Sequence, residues 1–358
     1  VSGRAQGDDI GCLVIGAGPA GLATAACLRG AGVSFRLVDR AGAPGGAYRA
    51  LHDGITLASP AALDSLPGLP LDCPTTYVGV PEYRAYLARY ATHAALAVTA
   101  GDVAALTRDG GGFVARLAGG GEVRARVVVV ATGMWSSPRW PETPGLDRCG
   151  VPVLHARDWR GPTDLRPAGA ALLVVGGGAS AVEIAEEAAR AGIRVTVATR
   201  RKLRLTPPTF LGLDVHHFIG PLERLPPWLA RGYCARLPTL PATDRGFARL
   251  RAEGRIELRP GPIALDATGR VRFGDDSTGT FAAIVAATGY HFATPFLPPE
   301  VARTPAGQLA ARHNESVSWP GLYVVGAPCA NRVDSEFLRG IARDAPLVAR
   351  AIAARVTR

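Results

Sequence analysis

The sequence predicts an α/β protein made of two doubly wound, parallel-sheet units, and two observations carry that prediction. A glycine-spaced turn occurs twice: Gly16-x-Gly18-x-x-Gly21 follows the apolar run Cys12 to Ile15, and Gly176-x-Gly178-x-x-Ala181 follows Ala171 to Val175. The surroundings repeat in the same register. Twelve residues after Gly21 comes Val33-Ser-Phe-Arg-Leu-Val-Asp39-Arg40, and twelve after Ala181 comes Ile193-Arg-Val-Thr-Val-Ala-Thr199-Arg200. Each half later has a strand ending in Ala-Thr-Gly, at Ala131-Thr132-Gly133 and at Ala287-Thr288-Gly289. A short buried strand that turns sharply into a helix sets backbone N–H groups and a helix N-terminus where they can hold a pyrophosphate. Two copies in 358 residues predict two dinucleotides held face to face, on two Rossmann-like domains.

In chain order, residues 1 to 10 read as a polar lead-in. Strand 12–15, a helix over about 19–30 and strand 34–38 follow, then a Gly-rich loop from Ala41 to Tyr48. The charge-free stretch Cys12 to Leu28 holds Gly16, Gly18, Pro19 and Gly21, so it reads as strand, turn and helix and not as a membrane span. A long irregular segment runs from Leu51 to Val80, with Pro60, Pro67, Pro70 and Pro74; loops of that length tend to be functional. Pro81 opens an amphipathic helix whose Tyr83, Tyr86, Leu87 and Tyr90 share a core-facing stripe. Strands Val103 to Thr107, Phe113 to Leu117 and Val123 to Val130 are separated by turns at Gly110-Gly-Gly and Gly119-Gly-Gly.

A proline-rich hinge from Pro138 to Pro144 leads to the second copy, whose helix spans Ala179 to Ala191. A second irregular region fills Leu203 to Pro241. The last unit is a strand from Leu322 to Val325, a loop around Gly326 and a helix from about Ser335 to Ala354. With no partner strand near it in sequence, this unit is expected to rejoin the first domain. The expected division is therefore 1–150, 151–285 and 286–358, with the first domain discontinuous, as in glutathione-reductase-like proteins.

Alignment of the two copies separates their ligands. An acidic residue at the end of the second strand accepts hydrogen bonds from an adenosine ribose and repels a phosphate. Asp39 fills that place in the first copy, which suits FAD or NAD. Thr199 fills it in the second, followed by Arg200, Arg201 and Lys202, which suits the 2′-phosphate of NADPH. One charged hydrogen bond contributes about 1.5–3 kcal/mol, roughly tenfold or more in discrimination.

Composition narrows the class. The chain is 47% hydrophobic and 20% charged, ordinary for a globular protein. Its formal charge of +10 comes almost wholly from dispersed arginines, Lys202 being the only lysine. Nucleic-acid binding calls for a concentrated stripe with interleaved aromatics, so an anionic cofactor or substrate is the expected partner. No secretion leader or membrane segment is read, and a cytoplasmic location is expected. The cysteines Cys12, Cys27, Cys73, Cys149, Cys234 and Cys329 contain no Cys-x-x-Cys pair and no zinc spacing, which argues against a disulfide reductase and leaves metal sites at none.

Six motifs resemble those of the flavin-containing, NAD(P)H-dependent monooxygenases, a family that includes Baeyer–Villiger and YUCCA-like enzymes. They are Gly16-Ala-Gly-Pro-Ala-Gly21, Gly45-Gly46-Ala47-Tyr48, Ala131 to Pro138 with Pro144-Gly145, Gly176 to Ala181, Ala287-Thr-Gly-Tyr290 and Gly321-Leu-Tyr-Val-Val-Gly326. The resemblance implies FAD on Gly16, Gly18, Pro19, Ala20, Gly21, Asp39, Arg40, Gly46 and Tyr48, with Val103 near the adenine. It implies Ala131, Thr132 and Gly133 along the same ligand, and Gly326, Phe337 and Leu338 near the flavin ring. NADPH is implied on Gly176, Gly178, Ser180, Ala181, Arg200 and Arg201, with Thr288 and Gly289 at the cleft. The implied reaction is hydride transfer from NADPH to FAD, then insertion of one atom of O2 into a small organic substrate through a flavin hydroperoxide.

The chain also departs from the family. His155-x-x-x-Trp159 matches only the end of the family's F-x-G-x-x-x-H-x-x-x-W fingerprint, so packing at a hinge and cofactor positioning both remain open for this pair. Tyr48 stands where a Trp is common. Where many members carry an Asn near the flavin, this chain reads Ala58-Ser59-Pro60. No acid–base dyad is expected; Ser59, Tyr48 and His291 are the side chains singled out near the reacting atoms. An oxidase or reductase that does not oxygenate is the alternative, and a non-enzymatic nucleotide sensor a third.

Overall fold

The computed structural model describes residues 10–357 except 136, 165–170, 227 and 237–239, so the lead-in falls outside the described residues up to residue 9. Two parallel sheets organise the chain. The first has nine strands, and its central path runs Leu322–Val324, Glu122–Val130, Ile10–Ile15, Phe35–Asp39, Val98–Ala100. All four pairings along that path are parallel. Because side chains alternate along a strand, both faces of Ile10–Ile15 need cover. Cys12 and Val14 pack with helices α1 (Pro19–Gly30) and α2 (Val80–His93), while Leu13 and Ile15 pack on Phe113, Phe292 and Phe296. The tyrosine stripe of α2 is core: Tyr83, Tyr86 and Tyr90 are fully buried. Burial pushes the Cys12 thiol far up and that of Cys27 to about 11, so neither is a ready nucleophile.

The second sheet has five parallel strands in the order Ile256–Pro260, Arg194–Thr199, Ala171–Val175, Ala283–Ala286, Val153–His155. Helix α3 (Ala179–Arg190) follows its central strand. The two copies repeat down to single hydrogen bonds. Gly16 N donates to Val38 O at 2.7 Å and Gly176 N to Ala198 O at 2.9 Å; Ala131 N meets Ile15 O, and Ala287 N meets Val175 O, each at 2.8 Å.

Three stretches differ from the sequence reading. The segment from Leu51 to Val80 contains a small antiparallel pair, Thr56–Pro60 with Tyr77–Gly79. The region from Leu203 to Pro241 holds helices α4 (His216–Glu223) and α5 (Arg231–Arg236) and short strand pairs, before α6 (Phe247–Ala252). Internal prolines, including Pro221 inside α4, hid these helices. Helix α7 spans Leu338–Val356 and starts three residues later than Ser335. The Ser335 hydroxyl accepts the N–H groups of Asn331 and Arg332 at 3.2 and 2.9 Å, which closes a turn and delays the helix.

The insertion carrying α4 and α5 is bound to the first half. Arg339 of α7 grips Glu223 of α4 with two hydrogen bonds, one of 2.7 Å from Nε. Asp334 N donates to Glu223 O at 3.1 Å and Val333 N to Leu225 O at 3.2 Å. Cys234 of α5 is disulfide-bonded to Cys329, 95 residues away. On the other side, Tyr77 donates to the Asp214 carboxylate, and Arg245 donates to Leu57 O at 2.8 Å. The two segments read as irregular thus meet each other at the junction of the halves.

Candidate functional site

The first cradle is shaped by what a side chain would strike. A methyl on Gly21 would fall 1.8 Å from Gly16 O, and one on Gly16 (φ +104°) would fall 2.5 Å from Ala131 O. Gly18 is different: its nearest neighbour in that direction is the Gly46 Cα at 3.9 Å. Gly16 and Gly21 therefore serve close packing of strand, turn and helix, and Gly18 leaves room for a ligand. Pro19 opens α1, and no side chain caps it, so the first-turn N–H groups remain for an anion. The Gly45-Gly46 loop closes over the turn, with Gly45 N donating to Ala17 O at 2.8 Å.

Asp39 sits at the end of the second strand with both oxygens oriented. Ala17 N donates to Oδ2 at 2.8 Å and Ala41 N to Oδ1 at 2.9 Å. Gly101 N donates to Asp39 O at 3.0 Å, which brings the start of the Val103–Asp109 strand to the same edge. Arg40 is exposed and lies 3.7 Å from Asp102. The loop after Leu322–Val324 returns to the cradle, where a methyl on Gly326 would touch the Ala20 Cβ at 3.0 Å. Phe337 caps α7, and Leu338 begins it.

One atom in the wall has no protein partner. The Thr132 hydroxyl is buried and makes no hydrogen bond among the described residues. Its counterpart in the second half, Thr288, donates to Arg139 O. A buried hydroxyl without a partner beside an uncapped helix fits a polar ligand laid along the first cradle.

The second cradle follows the same plan with one methyl more. A Cβ on Gly176 (φ +147°) would fall 2.2 Å from Ala287 O, whereas Ala181 is buried without difficulty at the third position. Helix α3 also lacks a side-chain cap after Gly178, and Ser180 stands half-buried in its first turn. Thr199 Oγ1 donates to Arg201 O at 2.8 Å, turning the chain so that Arg200, Arg201 and Lys202 are exposed at the strand end. Among the described residues no carboxylate pairs with these three cations, so they are available to a phosphate.

Tyr48 and Ser59 come together and His291 does not join them. Tyr48 is buried, its ring centroid 4.9 Å from that of Tyr83 and 5.2 Å from that of Trp135. Ser59 Oγ donates to Asp64 Oδ1 at 2.6 Å inside the same buried region. His291 is exposed, and its backbone N–H is tied to Ser137 O at 2.8 Å across the hinge. Asp64 is the residue that sequence reasoning missed. It lies five positions beyond Ser59 in a proline-rich stretch without period, and only the fold shows that it is buried.

His155 and Trp159 are packed at the hinge. Arg157 N donates to His155 Nδ1 at 3.1 Å, so the proton resides on Nε2, which donates to Gly289 O at 3.1 Å. Burial holds this ring below its ordinary pKa. Trp159 Nε1 donates to Glu187 Oε2 at 2.8 Å, and the other oxygen of Glu187 meets His52 Nε2 at 2.7 Å, linking the halves. Arg49, Arg84 and Arg160 line a cavity of about 520 Å³ at this junction.

Residues 13–209 match the family model described as pyridine nucleotide-disulphide oxidoreductase. The chain is 30% identical to indole-3-pyruvate monooxygenase YUCCA1 of Oryza sativa subsp. japonica, over 88% of this chain and 86% of that one. It is 35% identical to a Baeyer-Villiger monooxygenase of Streptomyces coelicolor over 48% of this chain and 34% of that one. A flavin-containing monooxygenase from Stenotrophomonas maltophilia superposes with a TM-score of 0.81 at 26% identity, over 97% of this chain and 99% of that chain.

Proposed function

The chain belongs to the flavin-dependent monooxygenases within the pyridine nucleotide-disulphide oxidoreductase family, and from that premise we propose that its first cradle holds FAD and its second holds NADPH. The enzyme is an FAD- and NADPH-dependent oxidoreductase. We infer further that it inserts one oxygen atom from O2 into a small organic substrate. The observation that carries the reading is the unlike ends of two otherwise matched second strands. Asp39 offers oriented carboxylate oxygens to a ribose diol, while Thr199 turns the chain to expose Arg200 and Arg201.

When bound, the cofactor pair supplies hydride transfer and oxygen activation. The chain supplies position and dryness. Gly18 leaves room for the backbone to approach a pyrophosphate, and Gly16 and Gly21 let strand, turn and helix pack closely behind it. Gly46 and Gly326 bring the loops that flank the ring end against α1. The insertion is held at the junction by Arg339–Glu223 and Tyr77–Asp214.

The direct test is to purify the protein, measure its flavin content and compare anaerobic bleaching by NADPH and NADH. The reading expects a yellow protein reduced faster by NADPH. A colourless protein that takes up no FAD, or faster reduction by NADH, contradicts it.

A further inference from the structure

The family's amide near the flavin has no counterpart at Ala58-Ser59-Pro60, yet the fold puts a polar group there by another route. Ser59 is 7% exposed and Asp64 is 0% exposed, and they are joined at 2.6 Å through Asp64 Oδ1. The second carboxyl oxygen, Oδ2, is buried with no hydrogen-bond partner among the described residues. A buried carboxyl with one idle oxygen costs free energy unless something meets it. Three elements converge around it. Tyr48 belongs to the Gly46–Arg49 turn that closes the first cradle, and the Asp64 charge acts on its phenol. Tyr83 of α2 reaches Asp64 O at 3.3 Å through its hydroxyl. The charge of Arg339, in the first turn of α7, opposes the rise in the carboxyl's pKa. The Gly46 turn and the start of α7 are the two elements assigned above to the ring end of FAD.

We propose that the Ser59–Asp64 pair replaces the absent amide, with Oδ2 of Asp64 hydrogen-bonded to the bound flavin ring. This rests on the reading that the first cradle holds FAD. Ser59 acts as the positioning residue, because its hydroxyl occupies Oδ1 and leaves Oδ2 for the ligand. The protonated form of the acid is the donor in this contact. Desolvation favours that form, pushing the carboxyl up to about 7 against the opposing effects of Ser59 and Arg339. The charged and titratable groups acting with it are Tyr48, Tyr83 and Arg339, the last bound to Glu223. Glu336, next to that pair, is also raised to about 7 and is the control.

The experiment uses the FAD-loaded enzyme and two readouts that need no turnover: the pH dependence of the bound flavin's absorbance spectrum, and FAD affinity. The wild type is expected to show a spectral transition near neutral pH that persists in Glu336→Gln and vanishes in Asp64→Asn. The isosteric amide retains a donor, so its FAD affinity should stay within about threefold of wild type. Asp64→Leu should weaken FAD binding about five- to tenfold, the equivalent of one lost hydrogen bond. A pH-invariant wild-type spectrum, a transition that survives in Asp64→Asn, or unchanged FAD affinity in a folded Asp64→Leu overturns the proposal. Those results would leave FAD binding itself intact, whereas wild-type protein that takes up no FAD would overturn the function reading and this proposal together.

Discussion

In the proposed reading, Arg200 and its neighbours occupy the position where one charge decides between two nearly identical cofactors. They are exposed, without a carboxylate partner among the described residues, at a strand end turned by Thr199. Arg200→Ala should therefore cut the NADPH-over-NADH preference in flavin reduction about tenfold or more, with little change in the NADH rate. This asymmetry was legible from the sequence because it rests on register alone. Asp64 was not legible, since neither its burial nor its bond to Ser59 follows from spacing. His155 stands between the two: its spacing to Trp159 was visible, and its contacts with Trp140, Tyr290 and Gly289 needed the fold. Its neutral ring in the native state has a pKa below the ordinary 6.5. The unfolded chain takes up a proton first as pH falls below that value, so the native state loses stability in that direction. Denaturant unfolding at pH 7 and pH 5.5 should therefore show the stability of wild type relative to His155→Gln falling as pH falls.

At the scale of elements, the two cradles make a paired test. In the first, helix and turn approach so closely that a methyl on Gly21 would overlap Gly16 O, whereas the second already carries Ala181. Gly21→Ala should abolish FAD retention, measured as flavin content after gel filtration. Ala181→Gly should cost only about 1 kcal/mol of helix propensity and leave FAD bound. Strands and helices of both repeats were readable because apolar runs and glycine turns alternate there with a clear period. The interior of 203–241 was not, because prolines and short helices erase the period and tertiary contacts hold the segment in place.

The whole molecule is held together by an insertion that bridges its halves. The return of Leu322–Val324 to the first sheet was expected from its lack of a nearby partner, and it pairs with Glu122–Val130. The Cys234–Cys329 disulfide was not, since 95 residues separate its cysteines and only the docking of α5 beside the Gly326 loop brings them together. A cross-link over so long a loop typically contributes about 2–4 kcal/mol. Reductant should lower the thermal midpoint of the wild type, and Cys234→Ser should show the lowered midpoint already without it. What the assembled enzyme does with oxygen is read by rapid mixing of the NADPH-reduced enzyme with O2. An oxygenating enzyme should form a distinct absorbing species before oxidised flavin returns. Direct return to oxidised flavin, with hydrogen peroxide formed in step, would contradict oxygen insertion.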